Sequence, residues 1–74
     1  MAKEWKEKTV NLFEGIEWYK NIDGRDRHIL VENNPTWRFL VGNVYGSDIT
    51  YRIYEQDITK KEAIAYAKAY MENN

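Results

Sequence analysis

From His28 to Tyr54 apolar residues gather in short strand-length runs between turn residues, and beyond Asp57 the spacing changes to that of a helix. Three runs carry the first pattern: His28-Ile29-Leu30-Val31-Glu32, Trp37-Arg38-Phe39-Leu40-Val41 and Ile49-Thr50-Tyr51-Arg52-Ile53-Tyr54. Each is rich in β-branched and aromatic residues and is bounded by turn residues, which predicts strands. Asn33-Asn34-Pro35-Thr36 separates the first two, because proline offers no ladder donor and pushes Asn34 towards an extended conformation. Gly46-Ser47-Asp48 closes the next two into a hairpin. The second run can continue past Gly42 to Tyr45, with Gly42-Asn43 read as a bulge. Sequential strands joined by short turns make a meander.

After Asp57 several local signals agree. Thr59 can cap a helix while Glu62, three residues on, reaches back to its N–H, and Ile58 and Ala63 occupy staple positions. At about 100° per residue Ala63, Ile64, Ala67, Tyr70 and Met71 form one stripe, flanked by Tyr66, whereas Lys61, Ala65, Lys68 and Glu72 point away. An amphipathic helix with this stripe requires a sheet to cover it.

The first 22 residues satisfy both periods. With helical spacing Trp5, Thr9, Leu12, Phe13, Ile16 and Tyr19 share a face; as strands, Thr9-Val10-Asn11-Leu12-Phe13 is broken by Glu14-Gly15 and resumes at Ile16-Glu17-Trp18-Tyr19-Lys20. Gly15, the Thr9-Val10 pair and the adjacent rings of Trp18 and Tyr19 lean towards strand. Asn21-Ile22-Asp23-Gly24 is a hairpin turn signal. The expected fold is therefore α+β: an antiparallel β-meander of three to five strands with a C-terminal amphipathic helix packed on one face, in a single domain spanning residues 1–74.

Alternation assigns Ile29, Val31, Trp37, Phe39, Val41, Ile49, Tyr51 and Ile53 to the face beneath the helix. The other face would carry His28, Leu30, Arg38, Leu40, Thr50, Arg52 and Tyr54, which mixes leucines with arginines. Either the N-terminal segment or a second copy covers those leucines, or Leu30, Arg38, Leu40, Arg52 and Tyr54 form a partner-binding surface.

Composition narrows the function classes. At 74 residues, with no Cys and one His, the chain has no disulfide and no thiolate metal site, so stability rests on packing or self-association. Aromatic residues make up 15% of it, a load that suits a core and an interface together. Eleven basic and twelve acidic residues are interspersed, without the massed positive face of a nucleic-acid binder. No run spans a membrane and the N-terminus lacks a signal-peptide core, so the expected compartment is the cytoplasm and no membrane partner is expected.

Catalytic chemistry is poorly supplied. Ser47 lies in a turn without an elbow motif, Asp26 two residues before His28 is a minimal orienting pair, and Glu14 with Glu17 reads as a solvated edge. Phosphate loops, dinucleotide fingerprints and calcium loops are missing, so no cofactor, metal site or catalytic residue is expected.

Lys60 and Lys61 begin the helix, where free N–H groups favour an anion. The string Thr59-Lys60-Lys61-Glu62-Ala63 resembles the second-helix start of double-stranded-RNA-binding domains and the helix start in arm-binding domains of phage-type integrases. That resemblance covers about five residues and implies nucleic-acid contact by Lys60 and Lys61 or by the sheet face, the alternative function. The leading expectation is a non-enzymatic protein-interaction module. Compact, Cys-free, aromatic-rich and near-neutral, the chain is of the type of small phage- or mobile-element modulators that bind and inhibit a host protein.

Overall fold

The computed structural model describes residues 4–9 and 14–74. Its elements are β1 (Lys6–Thr9), β2 (Gly15–Ile22), β3 (Arg25–Asn33), β4 (Trp37–Tyr45), β5 (Asp48–Ile58) and α1 (Lys60–Asn73). The strands form one sheet in the order β1-β2-β3-β4-β5, each antiparallel to its neighbour, and α1 covers one face. The α+β meander read from the sequence is the fold.

The ambiguous N-terminal region resolves into strands at Lys6–Thr9 and Gly15–Ile22, so the helical period there is not used by the described residues. Val10 to Phe13, the greater part of the first predicted run, lie outside them. Gly15 opens β2 because β3 approaches too closely for a side chain: a Cβ there would lie 2.5 Å from the Val31 carbonyl oxygen.

Two tight turns set the register. Asp23 and Gly24 have φ of 53° and 83°, the left-handed pair of a type I′ turn, and join Ile22 to its partner Arg25. Gly46, at φ 64°, and Ser47 form an equally short loop between Tyr45 and Asp48. That loop fixes the face of every β5 residue by parity: Ile49 opposes Val44, Tyr51 opposes Gly42, Arg52 opposes Val41 and Ile53 opposes Leu40. Ile49, Tyr51 and Ile53 therefore lie on the face away from α1, the reverse of the expectation, while Thr50, Arg52 and Tyr54 share the helix face. Gly42 is not at a bulge either. The irregularities fall opposite Trp37/Arg38 and Phe39/Leu40, in the last part of β5, where Asp57 adopts φ 57°.

Beneath α1, Ile29, Val31 and Val41 are almost wholly buried, with Trp18 and Phe39 beside them. The helix meets them through Ala63, Ala67 and Met71, and the two alanines bring its backbone close to the sheet. Ile64, Tyr70 and Ile58 pack against this core, as does Trp37. Thr59 caps the helix: its Oγ1 accepts from Glu62 N–H at 3.1 Å, and Glu62 Oε1 accepts from Thr59 N–H at 2.9 Å. At the other end Trp5 is buried and its Nε1–H donates to the Met71 carbonyl at 3.2 Å, tying the first strand to the last helical turn.

Candidate functional site

The face away from α1 is organised by a tyrosine that crosses the sheet. Tyr51 starts on the edge strand β5, and its ring lies over Gly42 of β4, where a Cβ would come within 2.7 Å of two ring carbons. Glycine at that position is what allows the ring to lie down. Its hydroxyl then donates to Glu17 Oε2 of β2 at 2.6 Å. The same oxygen is 2.9 Å from His28 Nδ1, which is the donor when Glu17 is ionised, and Lys8 Nζ is 3.6 Å from Oε1. Tyr19 stacks on the His28 ring at 5.9 Å. Burial of Tyr51 and its hydrogen bond to Glu17 raise its phenol pKa well above the usual range, and the charges of Glu17 and Glu32 add to the effect.

Glu17, His28 and Glu32 are all buried here, and each is paired. Glu32 Oε2 accepts from Arg38 Nε at 2.7 Å across the β3–β4 pair. His28 thus takes its carboxylate from Glu17 and not from Asp26, which instead accepts from Asn21 Nδ2 at 3.2 Å. Two residues along one strand lie about 7 Å apart, whereas a neighbouring strand brings a long side chain within hydrogen-bond reach.

Of the predicted contact set, Leu30, Arg38 and Leu40 share this face. Leu30 and Leu40 are directly paired, and both are buried, while Arg38 is committed to Glu32. Of the N-terminal segment expected to cover the leucines, residues 10–13 lie outside the described residues, and β2 lies beside Leu30 through Glu17. Arg52 and Tyr54 lie on the helix side: the Tyr54 ring is 5.7 Å from that of Phe39 and 6.1 Å from that of Tyr70. The five residues do not form one surface.

The alternation missed where the exposed apolar surface is. Ile49, Tyr51 and Ile53 are 40%, 36% and 43% exposed and alternate along one face of the edge strand, and Tyr45 and Tyr54 are exposed on the helix side of the same hairpin. The two-residue loop was the signal that places them, since it sets the parity of β5.

At the helix start Lys60 lies 5.6 Å over the Trp37 ring and 4.0 Å from Glu14 Oε2, and Lys61 is exposed. Among the described residues no cluster of three or more His, Cys, Asp or Glu is placed to hold a metal ion, and no helix is long and apolar enough to cross a membrane. The fold and this face define a small α+β sheet domain with an exposed apolar edge. Comparison with protein-family models, with curated proteins and with solved structures finds no match.

Proposed function

We propose that the chain is a non-enzymatic protein-binding module whose contact surface is the edge strand β5, with Ile49, Tyr51 and Ile53 as its apolar anchors. The observation that carries this reading is the concentration of exposed apolar side chains there: of six large hydrophobic residues exposed among the described ones, only Tyr66 lies elsewhere than on β5 or its hairpin. Aromatic and aliphatic anchors of this kind are found in interface cores. The bond from Tyr51 to Glu17 holds its ring in one orientation before any partner arrives, which lowers the entropy lost on binding. Such a surface acts by occupying a partner's surface, the mode by which a small modulator inhibits a host protein.

The test is affinity capture with the tagged chain from extract of its source cells, with Ile49→Lys/Ile53→Lys as comparison. Both positions are exposed, so the variant keeps its circular dichroism spectrum. Specific capture that is lost in the variant supports the module; capture that is absent, or equal in both, overturns it.

A further inference from the structure

The two edges of the sheet carry opposite signals. β1 is four residues long and includes Lys6 and Lys8, both features that discourage a further strand. β5 has eleven residues and contains neither lysine nor proline, and from Asp48 to Ile53 it is paired with β4 without irregularity. Its outer backbone groups are therefore presented in a straight row. Because the Gly46-Ser47 loop makes Tyr45 and Asp48 a hydrogen-bonded closing pair, alternation turns the N–H and C=O of Ile49, Tyr51 and Ile53 outward.

That row is complementary to itself. Two copies of β5 running antiparallel about a two-fold axis at Thr50 set Ile49 of one copy opposite Tyr51 of the other, on the face away from α1. On the helix face they set Asp48 opposite Arg52, twice by symmetry, with Thr50 opposite Thr50. Opposite charges and threonine with threonine are favoured cross-strand pairs. Among the described residues neither Asp48 nor Arg52 has an ion-pair partner within the chain. Centring on Tyr51 would leave both charges without partners, and centring on Arg52 would oppose two arginines, so charge selects the Thr50 register.

We propose that the chain forms a two-fold homodimer by pairing β5 with β5 of a second copy about Thr50, joining two meanders into one continuous sheet. This rests on β5 being the contact surface and names its occupant. One strand-to-strand contact is a small interface, so the dimer is in reversible exchange with monomer.

Sedimentation equilibrium of the full chain tests it. The expected result is a concentration-dependent rise from 8.9 kDa towards twice that mass. Asp48→Arg and Arg52→Asp each replace two attractive pairs by two repulsive ones, and each weakens association by about tenfold or more. Asp48→Arg combined with Arg52→Asp restores the pairs and returns the affinity to within about threefold of the parent. A monomer at about 1 mM overturns the dimer, as do single reversals without effect or a combined variant that stays weak. A monomeric chain that still captures a different protein through Ile49 and Ile53 removes the dimer and leaves the binding module standing; loss of that capture as well removes both.

Discussion

At the scale of single residues the far face depends on Glu17, whose carboxylate is met by Tyr51, His28 and Lys8. Tyr51→Phe removes one charge-assisted hydrogen bond and leaves Glu17 its other partners, so the expected loss is about 1 kcal/mol in urea denaturation. The pH dependence carries a clearer signature. Burial, and then the bond to Glu17, hold the Tyr51 phenol above the usual value of about 10, so above that pH the unfolded chain releases a proton that the folded chain keeps. Stability from this group is thus complete below about pH 10 and falls as pH rises beyond it. Denaturation midpoints between about pH 9 and 11 should fall more steeply for the parent than for Tyr51→Phe; parallel curves would mean the hydroxyl is not held this way. Glu17 and His28 were visible in the sequence as chemistry-bearing residues, but their partnership was not. Pairing across strands depends on register, and the nearest carboxylate in sequence, Asp26, was the wrong one.

At the scale of elements legibility differs between α1 and β5. The capping box and the apolar stripe of α1 were readable because every interaction that sets them is local, within one or two turns. Lys60 and Lys61 lie at the end of the helix dipole that disfavours positive charge, which makes the cap carry more of the helix start. Thr59→Ala should therefore destabilise the domain by about 1 kcal/mol, while Thr59→Asp, an equally good acceptor, should stay near the parent. Equal losses in the two variants, measured by thermal unfolding, would exclude the hydrogen bonds of the cap as the cause. β5 was legible as a strand and illegible in its orientation. Its apolar residues alternate well enough for either face, and the decision was made by a loop of two residues instead of three, since a one-residue change reverses every side chain. Once Tyr51 faces away from the helix, Gly42 is explained by close approach and not by a bulge.

At the scale of the whole molecule a 74-residue chain without disulfides has little stability to lose, roughly 3–5 kcal/mol from a core of this size. The core is closed at one end by Trp5, which joins β1 to the end of α1 through its packing and its bond to the Met71 carbonyl. Lys20 reinforces that closure: its Nζ donates to the Asn74 carbonyl at 2.7 Å and pairs with Glu4 at 3.2 Å. Residues 66 apart in sequence meet there, so no local pattern could have shown the contact, although the helical period did count Trp5 among the apolar positions. Burial of a tryptophan of this kind is worth about 3–5 kcal/mol when truncated to alanine, as large as the whole expected stability. Trp5→Ala should accordingly be unfolded or molten near room temperature, with loss of near-ultraviolet dichroism. Trp5→Phe keeps most of the apolar volume and gives up the Nε1–H donor, so it should fold with a loss of about 1–2 kcal/mol. A cooperative transition in Trp5→Ala at nearly the parent midpoint would show that the meander and helix hold together without their terminal closure.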